Sequence, residues 1–501
     1  MQLDHQSCYR ALVSRDSRFD GQFFVGVSTT GVYCRPICRV RQPKSQNVRF
    51  FKSAAAAEKN GFRPCLRCRP ELAPGYSTQD SKSVLAVQAK KLLDLNQATP
   101  KTIQSIATML GITDRYLRQI FQEKYGVRPI EYLQSKRLLT AKHLLTDSHL
   151  NIADIAFTSG FNSVRRLNAS FKDQYGLTPT AVRRSKAKQS TDEFTFKLGF
   201  RPPYATQHLL AFLATRQLKG MEQVLSNKYY RTLTMPHPQQ PGKRIEGWLS
   251  VKFAEKENYL SVHMAEQLLP CFAQLQQQII RAFDLSNTPE KVSTALKNQL
   301  MNGLNWIEGL RIPGCVDFFE VGVRAILGQQ IGIQAAVNIT QRFLSAFGNE
   351  ISTPHMFLCQ RFPTPEEINE LVIEDIASLG IFRQRAKAIQ AFANFCCQHP
   401  DFTELSVKPG NTVNALTSLP GIGPWTANYI ALRGLGWPAA ALPVDSVVKA
   451  ALKEFFNKNI TSKETNVLIQ QWQPWAGYMC LNLWNWHASA KSGAGSTFNE
   501  N

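Results

Sequence analysis

The stretch Leu419-Pro420-Gly421-Ile422-Gly423-Pro424-Trp425-Thr426-Ala427-Asn428 decides how the C-terminal half of the chain folds. It reads as a helix-loop-helix with Gly-x-Gly in the loop. Glycine at 421 and 423 lets backbone N–H groups come against a phosphate, because a side chain there would hold the phosphate backbone away. Past an apolar helix follows Leu442-Pro443-Val444-Asp445. Asp445 precedes Ser446-Val447-Val448, the place of a helix N-cap. A role in chemistry is compatible with that capping role.

Working outward, the chain has 501 residues, and a usual size of roughly 100–200 residues per domain implies about three or four domains. Hydrophobic residues are 44% and charged residues 19%, as in folded domains. The formal net charge of +21 points to a polyanion. Nucleic acid is the first reading, and an acidic membrane surface is the rival. No apolar run approaches the roughly 18–20 residues of a membrane span. Met1-Gln2-Leu3-Asp4-His5 lacks a basic-then-apolar leader, which points to the cytoplasm.

Composition separates the segments. Residues 1–78 are basic and cysteine-bearing, 82–185 helical, 193–305 open with strand-like alternation at Phe194–Leu198, and 306–490 are mostly helical. A polar linker is expected at 185–192 and a disordered tail at 491–501. The helical segment repeats itself. Ile103, Ile106, Ala107, Gly111, Phe121, Tyr125-Gly126 and Pro129 recur as Ile152, Ile155, Ala156, Gly160, Phe171, Tyr175-Gly176 and Pro179. A small Ala at a helix crossing and a Gly at the turn mark a helix-turn-helix, here in tandem. Asp114–Glu123 and Ser163–Asp173 are the candidate reading helices. Arg115, Arg118, Arg165 and Arg166 on them serve phosphates as readily as bases.

Four of the 11 cysteines crowd one stretch, as Cys34-x3-Cys38 and Cys65-x2-Cys68. Two close thiolate pairs suit one tetrahedral Zn²⁺, and a purely structural zinc is a competing reading. Arg35, Arg39, Arg41, Lys44, Arg49, Lys52, Arg63, Arg67 and Arg69 surround them with a charge density suited to phosphate. None of the 9 histidines shows ligand spacing, and His143 and His149 read as solvated.

Thr30-Gly31-Val32-Tyr33-Cys34-Arg35-Pro36 and Gly61-Phe62-Arg63-Pro64-Cys65-Leu66-Arg67-Cys68 resemble the N-terminal domain of Ada-type methyl-transfer proteins. The resemblance implies that Cys34 is both zinc ligand and acceptor of a methyl group from a DNA phosphotriester, with Cys38, Cys65 and Cys68 as the other ligands. It places Arg35 and Arg67 at DNA. It also implies a switch, in which methylating Cys34 removes one negative charge and strengthens DNA binding. The tandem repeat resembles the AraC-type DNA-binding domain, which suggests promoter binding and RNA polymerase as a partner. No Pro-Cys-His-Arg sequence occurs, so transfer from O6-alkylguanine is not expected.

From Phe194 to His487 the chain resembles AlkA-type 3-methyladenine DNA glycosylases of the helix-hairpin-helix superfamily. The matching words are Phe200-Arg201-Pro202-Pro203-Tyr204, Val316–Glu320, Gly322–Gln329 and the hairpin. The resemblance makes Asp445 the catalytic residue, stabilising positive charge on the sugar as the base departs. Trp425, Tyr429, Trp484 and Phe212 would line a pocket for a flipped, cationic base, although core packing is the ordinary role of such rings. Gly421, Gly423, Gln330 and Lys449 would contact DNA, and hairpin carbonyls near Thr417, Leu419 and Ile422 would hold an alkali-metal ion. In strand-cleaving relatives a Lys follows Gly-x-Gly-x, and here that place holds Trp425, so base removal without strand scission is expected. The wedge that fills the gap left by a flipped base is apolar in these enzymes, but Gln330 stands there, with Ile331 the nearest apolar residue; other flipping enzymes use a polar wedge.

The expected fold is thus multidomain and mainly α. It comprises a small zinc-binding α/β domain, an all-α tandem helix-turn-helix domain, an α/β AlkA N-terminal subdomain and an all-α helix-hairpin-helix glycosylase domain, in a monomeric nucleoid protein on double-stranded DNA. The alternative is a transcription regulator whose C-terminal half only binds DNA.

Overall fold

The computed structural model describes residues 4–74, 84–95, 102–148, 150–183, 193–238, 240, 242–297, 304–400, 402–405 and 409–493. The expected linker 185–192, His149 and positions 494–501 of the expected tail lie outside these residues. The architecture is multidomain and mainly helical, with small sheets in the N-terminal domain and after residue 193. Among the described residues no helix is long and apolar enough to cross a membrane.

The chain forms two compact units. One holds Met1–Pro202, Tyr230–Ile280 and Leu285–Asn287. The other holds Pro203–Tyr229, Arg281–Asp284 and Thr288–Asn501. The expected 193–305 segment is therefore shared between them.

In the first unit, Asp4 caps helix His5–Val13 by accepting from the Ser7 N–H. The first sheet runs in the order Val48–Phe51, Phe24–Val27, Val32–Cys34, Arg63–Pro64. Its last pair is parallel and the others are antiparallel. The tandem repeat folds as two copies of one motif. Helices Ile103–Met109 and Asp114–Tyr125 match Ile152–Thr158 and Val164–Tyr175. Gly111 and Gly160 turn each pair at φ +67° and +83°, a region that β-carbon-bearing residues rarely adopt. Ala107 and Ala156 are buried where the helices cross. The long helix Pro129–Asp147 joins the copies. Beyond residue 193, strands Glu193–Gly199, Tyr259–Ala265 and Arg244–Ala254 pair antiparallel in that order.

Buried polar contacts bind these modules within the unit. Glu58 accepts from Tyr33 Oη (2.8 Å), Ser135 Oγ (2.5 Å) and Tyr175 Oη (3.3 Å). Ser53 Oγ donates to the Tyr125 carbonyl at 2.9 Å. His143 corrects the expectation of a solvated side chain, being 2% exposed. Its ring lies 6.0 and 5.8 Å from those of Phe196 and Phe272 and its Nε2 lies 3.2 Å from the Asp147 carboxylate. It occupies the inward face of a helix covered by an aromatic sheet, which spacing within the helix does not reveal.

The second unit is largely helical around two apolar cores. One centres on Phe319, Phe343, Phe392 and Ile430, the other on Leu432, Leu452, Trp472 and Met479. Helix Pro424–Gly434 contributes to both, and Tyr429 packs against each.

Candidate active site and metal centre

Cys34 ends strand Val32–Cys34, and Cys65 follows the parallel strand Arg63–Pro64. The Cys65 N–H donates to the Tyr33 carbonyl at 3.0 Å, which brings the two cysteine pairs to one edge. The four Sγ atoms of Cys34, Cys38, Cys65 and Cys68 lie within 4.8 Å of one another and can hold one metal ion. An all-sulfur set of four fits Zn²⁺. The Arg35 backbone N–H donates to Cys68 Sγ at 3.3 Å, a bond that favours thiolate. Cys34 is 5% exposed, and Cys68 is the most open of the four.

Arg35 corrects the expectation of a DNA contact. Its side chain is buried and forms a two-pronged pair with the Asp20 carboxylate. A third bond runs from Nη1 to the Cys68 carbonyl at 3.2 Å. A buried guanidinium requires such partners, and this one has no face left for a phosphate. The Asp20 carbonyl in turn accepts from Arg201 Nε at 3.0 Å. Arg201, fully buried, also donates to the carbonyls of Pro74, Ser286 and Asn287. Arg69 likewise turns inward, to Glu71 and Asp147. Arg39, Arg41, Lys44 and Arg67 remain exposed. On the reading helices Arg115, Arg165 and Arg166 are exposed, while Arg118 is exposed but paired with Asp114 at 2.6 Å.

In the second unit the hairpin joins helices Pro409–Thr417 and Pro424–Gly434. Gly421 sits at φ +76°, and a Cβ there would lie 2.7 Å from that of Ala388. A Cβ on Gly423 would meet nothing within 4 Å, so its open side faces outward. Both glycines are exposed, as a backbone approached by a phosphate must be.

Asp445 is 7% exposed and caps helix Ser446–Phe456. Its Oδ1 accepts from the N–H groups of Val447 (3.0 Å) and Val448 (2.9 Å). Two indoles converge on the same carboxylate, Trp484 Nε1 on Oδ1 and Trp425 Nε1 on Oδ2, each at 3.0 Å. The Trp425 and Tyr429 rings stack at 5.1 Å and 15°, and Trp484 stands 6.5 Å from Tyr429. The fold therefore gathers three of the four expected pocket rings around the expected carboxylate.

Phe212 is placed differently. The guanidinium carbons of Arg216 and Arg433 lie 3.7 and 4.9 Å from its ring centre, so its π-face already has cationic partners. Arg433 also donates to Tyr429 Oη at 3.1 Å and to the carbonyls of Pro313 and Gly314. Burial raises the Tyr429 pKa, but Arg433 and Arg216 outweigh it and leave the phenol below its ordinary value. Burial pushes the Arg216 guanidinium down to about 10. Neither arginine has a spacing signal in the sequence.

Gln330 is exposed at φ +56°, and its neighbour Ile331 packs against the core. Lys449 is half-buried and donates from Nζ to Ser462 Oγ at 3.3 Å.

Four family descriptions match along the chain. They are "Metal binding domain of Ada" over residues 7–71, "Helix-turn-helix domain" over 106–185, "AlkA N-terminal domain" over 195–317 and "HhH-GPD superfamily base excision DNA repair protein" over 323–476. The Mycobacterium tuberculosis protein named "Probable bifunctional transcriptional activator/DNA repair enzyme AlkA" is 33% identical over 492 residues, 97% of this chain and 97% of its own length. The chain belongs to the AlkA/Ada-type bifunctional repair proteins.

The two halves of this AlkA/Ada-type chain have separate relatives. The Escherichia coli K12 "DNA-3-methyladenine glycosylase 2" is 31% identical over 292 residues, covering 58% of this chain and 96% of that one. The E. coli K12 "Bifunctional transcriptional activator/DNA repair enzyme Ada" is 35% identical over 175 residues, covering 35% of this chain and 48% of that one. In the AlkA/Ada-type frame, sequence reading missed Asp20, Arg201, Arg216 and Arg433. Asp20, Arg201 and Arg433 meet partners far away in the chain, and Arg216 joins them through the Phe212 ring that it shares with Arg433.

Proposed function

We propose that this chain repairs alkylated DNA by two chemistries and regulates its own response. The modules are the methyl-accepting zinc domain (1–78), an AraC-type reading domain (82–185), the AlkA-type subdomain (193–305) and the glycosylase domain (306–490). The observation that carries the reading is the Asp445 carboxylate, buried between two indole donors beside an exposed Gly-x-Gly hairpin.

In this reading hairpin N–H groups hold a DNA phosphate, and the damaged nucleotide turns out of the duplex into the ring cluster. Trp425, Tyr429 and Trp484 stack on an electron-poor base. As the glycosidic bond breaks, Asp445 stabilises the cationic sugar and orients the attacking water. An alkylated purine already carries positive charge, so its departure needs no strong general acid. Trp425 stands where an amine would be needed for a Schiff base, so the strand stays intact.

In the N-terminal domain Cys34, Cys38, Cys65 and Cys68 would hold Zn²⁺, which keeps a bound thiolate ionised and nucleophilic when present. Cys34 Sγ takes the methyl carbon of an uncharged phosphotriester. An S–C bond forms, the O–C bond breaks, and the phosphodiester is restored. Loss of one negative charge at the cluster then favours promoter DNA, with RNA polymerase as the next partner. The protein acts as a monomer on the bacterial nucleoid in the cytoplasm, and hairpin carbonyls near Thr417, Leu419 and Ile422 would hold an alkali-metal ion.

The test is incubation of the full-length chain with methylated duplex DNA. Free 3-methyladenine is expected, with abasic sites that break only under alkali. Absence of free base with well-folded protein would make the regulator with a non-catalytic C-terminal half the better reading.

A further inference from the structure

One large apolar side chain on the hairpin side of the second unit stands largely in solvent. Phe382 is 72% exposed. It precedes helix Arg383–Gln398 and forms no side-chain cap. Before it, Gly380 turns the chain at φ +74°, and Ile381 is buried in the core. The turn therefore directs one apolar residue inward and the next outward.

A single exposed phenylalanine is ordinary on a protein surface. What distinguishes Phe382 is how its segment is tied to the hairpin. The Arg385 guanidinium lies 5.4 Å from the Phe382 ring. Arg385 Nη2 donates to the Gln329 carbonyl at 2.5 Å. The Gln329 side-chain amide donates to the Gly421 carbonyl and to Thr426 Oγ1, each at 2.9 Å. Gly421 itself lies against Ala388 on the helix that Phe382 begins. Three segments are thus fastened together, and Phe382, Gln330, Gly421 and Gly423 are all exposed on them. On the same helix Lys387 is exposed, and Arg383 is exposed but paired with Glu374 at 2.5 Å.

Turning a nucleotide out of a duplex leaves a gap between stacked bases. An apolar or aromatic side chain fills such a gap better than an amide, because it stacks without losing hydrogen bonds to water. Gln330 supplies only an amide, and Ile331 is half-buried and packs against the edge of the core. We propose that Phe382 is the intercalating side chain of this protein. It enters the base stack of duplex DNA beside the flipped nucleotide, while Gln330 hydrogen-bonds a base edge. The proposal rests on the base-flipping reading above.

The test uses full-length protein and a duplex carrying a tetrahydrofuran abasic analogue. The fluorescent base 2-aminopurine is placed beside the analogue in one duplex and opposite it in another. Saturating wild-type protein should raise the fluorescence several-fold in at least one duplex, as the probe loses its stacking neighbour. Phe382→Ala should abolish most of that rise with an unchanged melting temperature, and Phe382→Trp should retain it. Met356→Ala, which removes another strongly exposed apolar side chain of the same unit, should match wild type. An undiminished rise in Phe382→Ala, no rise with bound wild type, or an equal loss in Met356→Ala overturns the proposal. Base release is measured separately, and Phe382→Ala should lose at least about tenfold on methylated duplex but not on methylated single strands. Wild-type protein that releases no base from either substrate would sink the glycosylase reading, and the fluorescence would still decide the wedge.

Discussion

Asp445→Asn separates the capping role of this residue from its chemistry. Asparagine caps a helix about as well as aspartate, so the bonds from the Val447 and Val448 N–H groups at 3.0 and 2.9 Å survive. The change falls on the second oxygen, which accepts from Trp425 Nε1 at 3.0 Å. An amide NH2 placed there sets two donors face to face and loses a charge-assisted bond, at about 1.5–3 kcal/mol of stability. The kinetic loss is larger. A carboxylate roughly 4 Å from the cationic sugar, at an effective dielectric near 20, contributes about 4 kcal/mol. That corresponds to about 10³ in rate. The assay is single-turnover base release from a methylated oligonucleotide duplex with protein in excess, with melting followed in parallel. We expect a folded variant, a melting point lower by a few degrees, and release about 10³-fold slower. A folded variant within about tenfold of wild type would show that the carboxylate only caps a helix, and the electrostatic argument would fail.

Three further predictions concern other parts of the molecule. Trp484→Phe keeps a ring but removes the donor on Asp445 Oδ1, so base release should slow by about tenfold, equivalent to about 1.4 kcal/mol; unchanged single-turnover rates would show that this indole only packs. Cys38→Ser should lose the bound metal, seen by atomic absorption, and lower the melting of the first unit, as a strong chelator should in wild type; full metal content in the variant would refute the four-sulfur site. Burial pushes the Glu58 carboxyl up to about 7, against the opposing hydrogen bonds from Ser135, Tyr33 and Tyr175. The folded chain then keeps a proton that the unfolded chain has released, so this stabilisation is complete below about pH 4 and lost as the pH rises through 7. By calorimetry, wild type should lose up to about 3 kcal/mol more than Glu58→Gln between pH 5 and 8, and parallel pH profiles would assign the loss elsewhere.

Much of this protein was legible because its signals are local. Gly421 and Gly423 mark the turn between two helices, and the cysteine pairs encode a four-sulfur site in their spacing. The tandem helix-turn-helix could be read because each copy repeats the same buried Ala, turn Gly and αL cap. The capping role of Asp445 could be read from its place before Ser446-Val447-Val448, and the structure shows that cap; its catalytic role came from the resemblance alone.

What only the tertiary structure decided depends on partners distant in the chain. Arg35 sits in an exposed-looking basic run, yet Asp20 takes its charge inside the domain, and the Asp20 carbonyl meets Arg201 across 181 positions. The two indole donors reach Asp445 across 20 and 39 positions. His143 became buried because a sheet covers that side of its helix, and Phe382 became exposed because the turn at Gly380 sends Ile381 inward instead. Side-chain type and short spacing set what a residue can do locally, so the sequence carried the modules and their motifs. Whether a charge meets water, a phosphate or a buried partner depends on which distant segment packs against it, and that is decided only when the chain closes on itself.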